Sequence, residues 1–154
     1  MVQVEIIPAV ALHIEQIAKN TRRPDRDELW AMSLCKPEDA MRLGLLYSDK
    51  ALTGMIDGEP VCMWGVTTVS LYGGVGSPWM VGTDKLDRHA ATFLRRCGRQ
   101  VKELFAEYRR LENFVDARNT RAIKWLKWLG FSVDDKTKPH GALGLPFHRF
   151  VMEG

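Results

Sequence analysis

The residues able to do chemistry gather in the second half of the chain. Between Leu86 and Trp128 there are eleven Lys/Arg against five Asp/Glu, while the 154 residues together carry +3; the rest of the chain is therefore mildly acidic. So uneven a spread suits an anionic ligand or surface on one side, although any single cation in it is explained as well by a solvated helix face. At the head of this region, Gly82-Thr83-Asp84-Lys85-Leu86-Asp87-Arg88-His89 sets Lys85, Arg88 and His89, which would attract phosphate, among Asp84 and Asp87, which would repel it. His89 fits a surface position at a helix start better than a catalytic base. A nucleic-acid backbone could meet Arg95, Arg96, Arg99, Lys102, Arg109 and Arg110, but Glu103 and Glu107 interrupt that face and no recognition motif accompanies it, so nucleic acid is not the expected partner. Cys35, Cys62 and Cys97 are odd in number, far apart and without a Cys-x-x-Cys pair. They read as three reduced, mostly buried thiols, and no metal site is expected.

The element best placed to position this chemistry runs from Phe114 to Val133. Phe114 to Ala117 is short and apolar and predicts a strand. Asn119 is a good N-cap, because its side chain can accept a hydrogen bond from an unpaired first-turn amide. Ala122, Trp125, Leu126 and Leu129 then form one apolar face, with Arg121, Lys124 and Lys127 elsewhere on the helix. Gly130 can take the left-handed conformation that ends a helix, and Phe131 follows to fold back on the last turn.

Asn119, Ala122, Gly130 and Phe131 stand at the spacing of Asn-x-x-Ala-x-x-Leu-Tyr-x-x-x-Gly-Phe, and the stretch resembles motif B of the GNAT acyltransferase superfamily. Leu126 occupies the tyrosine position of that motif. A narrower likeness lies in Trp79 to Leu86 followed by a basic helix, then Asn119-Thr120, Trp125-Leu126-Lys127 and Gly130. These are similar to a small GNAT-like family of T7-like tailed phages that includes the small internal virion protein.

The remaining elements follow in order. Val2 to Ile7 alternates and ends at Pro8, a first strand. Val10, Ile14 and Ile17 have helical spacing up to Asn20, and Thr21-Arg22-Arg23-Pro24 breaks that helix. Asp25 to Leu34 and a segment opening at Pro37 are two further helices. Leu52 to Ile56 and Val61 to Leu71 make a hairpin across Asp57-Gly58. The second strand is apolar on both faces, with Met63, Val69 and Leu71 against Trp64 and Val66, as a central strand should be. Val75 to Gly82 is a fourth strand, in which Pro78 demands a bulge, an edge or a late start. A long helix then runs to about Tyr108 with the stripe Ala90, Leu94, Cys97, Val101, Leu104 and Tyr108. Within it, Gly98 is either a weak point or a place of close approach. Asp134 to Gly144 reads as a loop and Pro146 to Met152 as a last strand. The expected fold is α+β: one domain over 1–154, with a central mixed, mostly antiparallel sheet of about six or seven strands and helices on both faces. This element order is itself GNAT-like.

The resemblance implies acetyl-CoA as cofactor, seated where two neighbouring parallel strands part, here the strand ending near Gly82 and the one at Phe114. The backbone around Val81 and Gly82 would bind the pantetheine arm. The pyrophosphate would rest on the following helix start near Arg88 and His89, with Asn119 and Arg121 completing the cofactor-binding set. The family's glycine-rich Gln/Arg-x-x-Gly-x-Gly/Ala loop is reduced to Gly82 alone. Leu126 cannot donate the proton that the motif-B tyrosine gives the leaving thiolate; Tyr72 is the substitute to test, and the catalytic residues are otherwise open. Two functions follow: an acetyl-CoA-dependent N-acyltransferase acting on a protein or small amine with a degenerate active site, or a non-catalytic GNAT-fold virion or assembly protein with phage or host protein partners. No apolar run approaches the roughly 20 residues of a membrane span, and Met1 to Pro8 lacks a signal-peptide pattern. The host cytoplasm is the expected location, with packaging in the virion as a further possibility.

Overall fold

The computed structural model describes residues 2–70 and 72–154. Leu71, which the alternation assigns to one face of a central strand, lies outside the described residues. Strand β1 (Val4–Pro8) leads through a 3-10 turn into α1 (Ile14–Lys19), followed by α2 (Arg23–Ser33) and α3 (Pro37–Tyr47). Pro24 and Pro37 sit in the first turns of their helices, where a missing N–H costs nothing. Then come β2 (Ser48–Ile56), β3 (Glu59–Ser70) and β4 (Val75–Gly82). Asp57 and Gly58 both have positive φ, 49° and 78°, as a two-residue hairpin turn matched to strand twist requires.

After β4 the expected single helix is two: α4 (Asp84–Arg88) and α5 (Ala90–Ala106), broken at His89, whose φ of −120° and ψ of 20° leave the helical region. Leu86 is fully buried in the core and Asp87 is tied to arginines from two other segments, so contacts remote in sequence fix α4. The buried face of α5 is also turned slightly from the expected stripe: Phe93 and Phe105 are buried with Cys97, Val101 and Leu104. The chain closes with β5 (Arg110–Asp116), α6 (Thr120–Leu129), β6 (Ser132–Val133), β7 (Lys138–His140) and β8 (Leu145–Glu153). Strand β7 lies in the stretch expected to be loop.

Among the described residues the sheet has eight strands in the order β1-β2-β3-β4-β5-β8-β6, with β7 also on β8. All neighbours are antiparallel except β4 and β5. One face carries α1, α3 and Leu29 of α2 over Met63 and Val81. The other carries α4, α5 and α6 over Trp64, Val66, Leu111 and Val115. Met63 and Trp64 thus point into different cores, which is why the centre of β3 is apolar at successive positions.

Candidate active site

Strands β4 and β5 pair in parallel at only two positions, Val75 with Arg110 and Gly76 with Leu111. Beyond them the strands part, while β5 stays paired with β8 along its whole length from Arg110 to Asp116. At the last pair Gly76 has no room for a side chain: a Cβ there would lie 2.3 Å from Val66 Cγ1 on β3 and 2.9 Å from the Tyr108 ring. Pro78 is tolerated inside β4 because its absent N–H would have faced the gap. The Asn113 side-chain amide crosses that gap and donates to the Pro78 carbonyl at 2.8 Å. At the far end, Gly82 N–H donates to Asp25 Oδ2 (2.8 Å) and its carbonyl accepts from Arg22 N–H (3.0 Å). Since backbone groups alternate along a strand, Met80 presents its N–H and carbonyl to the same gap, and no residue of β5 pairs with them.

The gap opens into a cavity of about 130 Å³, close to the size of an engineered hole that holds benzene, roughly 150 Å³. Its walls include Glu28 and Met32 from α2 and Trp64, Trp125 and Phe150 from the opposite core, so it passes through the plane of the sheet. Trp64 Nε1 is buried there without a hydrogen-bond partner, which costs about 1–3 kcal/mol unless a ligand acceptor satisfies it. Leu126 lines the same cavity and is partly buried among the core side chains.

The α2 side of the cavity is polar and tightly organised. Arg22 is 2 % exposed and donates to Asp25 at 2.9 Å and Asp87 at 2.7 Å; burial opposes its charge, but the two carboxylates outweigh that and raise its pKa. Arg121 also pairs with Asp87. Asn119 accepts from Ala122 N–H (3.2 Å), capping α6, while its amide donates to Asp25 Oδ1 (3.0 Å) and Glu28 Oε1 (3.3 Å). Glu28 Oε1 also accepts from Asp116 N–H at 2.9 Å. Glu28 keeps some solvent-exposed surface, yet its carboxyl is densely enclosed, and burial, reinforced by the Asp25 charge, pushes its pKa up to about 8 against the pull of the Asp116 N–H.

The residues singled out from sequence are brought together only in part. Gly82, Asn119 and Arg121 converge on the Arg22–Asp25–Asp87 group, where they bind protein partners. Val81 is buried, its side chain lies in the α1–α3 core, and its backbone turns towards β3, so it is the Met80 backbone that faces the gap. Arg88 is exposed and His89 half-buried at the α4–α5 break. Tyr72 is 98 % exposed in the β3–β4 turn, at the end of β4 where it still pairs with β5, and so cannot serve the cavity as an acid. Glu28, Met80, Asn113 and Trp64 were missed. The one local signal for Glu28 was its i,i+3 spacing from Asp25 on α2, which puts both carboxylates on one face; their partners lie 91 and 94 residues away.

The overall fold recurs in solved structures. A GNAT-family acetyltransferase from Streptococcus pneumoniae superposes with a TM-score of 0.61 at 12 % identity, covering 98 % of this chain and 99 % of that one. Spermidine N-acetyltransferase from Vibrio cholerae, in complex with CoA and spermine, gives 0.67 at 8 %, covering 98 % and 95 %. Ribosomal-protein-alanine N-acetyltransferase from Brucella melitensis gives 0.66 at 13 %, covering 97 % and 99 %. The chain has the GNAT fold. No family model matches its sequence, and no curated protein sequence does either.

Within this GNAT fold the residues present fit acetyl-CoA at its acyl and amide end. Met80 offers a free donor and acceptor on the gap, and Trp64 an orphaned indole N–H. The phosphates do not fit at Gly82, whose flank is filled by Arg22: a Cβ on Gly82 would lie 3.1 Å from the guanidinium carbon. They fit one helix later. The first turn of α5 has no side-chain cap, begins with the small residues Ala90 and Ala91, and borders an open groove shared with Arg121, Lys124 and Trp128. Unpaired first-turn amides with cations beside them suit an anion.

Proposed function

We propose that this protein is an acyl-CoA-dependent N-acyltransferase whose acceptor is an amine on a protein or small molecule. The observation that supports the reading is the through-sheet cavity at the β4–β5 splay, through which an acyl donor and an amine acceptor would meet from opposite faces. The coenzyme, when bound, supplies an activated acyl thioester. Met80 would align it through backbone hydrogen bonds, Trp64 Nε1 would donate to a carbonyl, and Arg121, Lys124 and the α5 amides would hold its phosphates. The apolar walls would exclude water, and holding the reactants together supplies much of the acceleration. With Leu126 in the tyrosine position, no side chain of motif B protonates the departing thiolate, and solvent would do so. Calorimetry with acetyl-CoA tests the reading: saturable heat, a raised melting temperature and acetyl transfer to an amine and peptide panel are expected, whereas no heat and no thermal shift at millimolar cofactor would sink it.

A second reading is favoured by Trp125, which is 8 % exposed and borders both the cavity and the outer groove. Standing between them, it closes the route from phosphate seat to cavity. On this reading the protein is a non-catalytic GNAT-fold component of a phage virion or its assembly, with phage or host proteins as partners, in the host cytoplasm or packaged in the particle. Trp125→Ala separates the two: if the tryptophan is a plug, the variant gains acetyl-CoA binding that the natural protein lacks.

A further inference from the structure

Resting on the acyltransferase reading, we infer that Glu28 receives the proton released by the acceptor ammonium, and that the acceptor is a primary amine on a slender apolar stem. Asp25 and Glu28 share one face of α2 but are used differently. Both oxygens of Asp25 are taken, by Gly82 N–H, Arg22 and the Asn119 amide. Glu28 is held by Oε1 alone, through Asp116 N–H and the Asn119 amide. Its Oε2 accepts from no described residue and is not a buried, partnerless atom, so it opens onto the cavity mouth. One oxygen fixes the carboxylate and the other is free, the arrangement a proton acceptor needs. Past it the walls are Leu29, Met32 and Phe114, which accept methylene groups and offer nothing to a polar stem. The unpartnered Trp64 indole in the same cavity independently marks it as a place for a ligand.

The charges around Glu28 have been allotted elsewhere. On α2 and its N-cap, Arg22 is neutralised by Asp25 and Asp87. At the end of β5, the buried Asp116 is paired by Arg118 from the β5–α6 connection. Arg118 also feels the Glu28 charge, but its guanidinium is bonded to Asp116, so burial dominates and the Glu28 ionisation lies close to physiological pH, where a general base is most effective. In the step, an N–H bond of the ammonium breaks, an O–H bond forms at Oε2, and the electron pair stays on nitrogen, making it nucleophilic. Glu28 then returns its proton to solvent through the same open oxygen.

The test compares the natural protein with Glu28→Gln and Glu28→Asp, each checked by circular dichroism, in acetyl transfer to butylamine. The glutamine oxygen can keep both hydrogen bonds, so folding should survive. Glu28→Gln should lower kcat about 10²–10⁴-fold and remove the ionisation near pH 8 from the kcat/KM profile while leaving the acetyl-CoA dissociation constant unchanged; Glu28→Asp should recover part of the rate and keep an ionisation. A glutamine variant with the natural rate and pH profile overturns the role of Glu28 while acyl transfer stands. Failure of the natural protein to acetylate butylamine or any other amine overturns the acyltransferase reading, and this inference with it.

Discussion

At the residue scale, the buried carboxyl of Glu28 has a thermodynamic signature independent of catalysis. Its folded pKa, about 8, lies above that of an unfolded glutamate near 4.3. The folded state therefore binds the extra proton between these values. Its contribution is complete below pH 4 and is lost as pH rises through 8, the reverse of an ion-paired carboxylate. Glu28→Gln should thus grow more stable relative to the natural protein from pH 5 to 8, by about 1–3 kcal/mol at most, read from urea midpoints at each pH; a constant difference would contradict the raised pKa. Glu112, which Arg149 and Arg110 hydrogen-bond and hold low, runs the other way and loses its contribution as pH falls.

Elements meet here through a few small residues that local pattern could not interpret alone. Gly98 left two readings open, and the structure decides between them: a Cβ would lie 2.6 Å from the Trp128 ring, which packs on α5 with Lys102 4.7 Å above its centroid. Gly98→Ala should lower stability because the indole must move. In a Trp128→Ala background the same change should raise it by about 1 kcal/mol, the usual helix preference for alanine; thermal melts of the four proteins test the sign reversal. Asn113 is the comparable device at the splay. Asn113→Ala would leave the Pro78 carbonyl unpaired across the gap, at about 1–3 kcal/mol, and amide exchange should rise in β5 beyond Leu111 more than in β3. Neither contact is visible from periodicity, because α5 and α6, or β4 and β5, adjoin only after the sheet has formed.

Across the whole molecule, the Arg22–Asp25–Asp87–Arg121 group binds the entry to α2, the end of β4, α4 and α6 into one unit. Removing the buried Arg22 leaves Asp25 and Asp87 without its charge. Arg22→Met should cost about 3–5 kcal/mol in urea unfolding, the usual result of breaking a buried pair from one side. The combined Arg22→Met, Asp25→Asn, Asp87→Asn variant should recover much of that, since a neutral set of similar volume avoids the unpaired carboxylates. The same group occupies the end of the splay beside Gly82, so the fold fills with its own side chains the flank of the one glycine left from the loop that the resemblance expects there. The segment 138–144 ties the chain's end to its start: Ala142 and Leu143 N–H donate to the Met32 and Ala31 carbonyls at the end of α2, and His140 stacks on Phe114.

The cap, apolar face and stop of α6 were legible because each is local: Asn119 capping Ala122, Gly130 at φ 104°, and Phe131 N–H returning to the Leu126 carbonyl lie within thirteen consecutive residues. The hairpin at Asp57-Gly58 and the two-faced β3 were readable for the same reason, and with the element order they determined the α+β class. The break at His89, the strand at Lys138–His140 and the use of Glu28 were not readable. They depend on which distant segments supply the hydrogen bonds and charges: Asp87 finds Arg22 across 65 residues, and Glu28 finds Asp116 across 88. Sequence alone determined the α+β, GNAT-like order of elements and put Leu126 where the resemblance expects a tyrosine. The resemblance placed the opening between these two strands; only the tertiary structure decided what lines it, because Glu28, Trp64 and Asn113 reach it from segments remote in sequence.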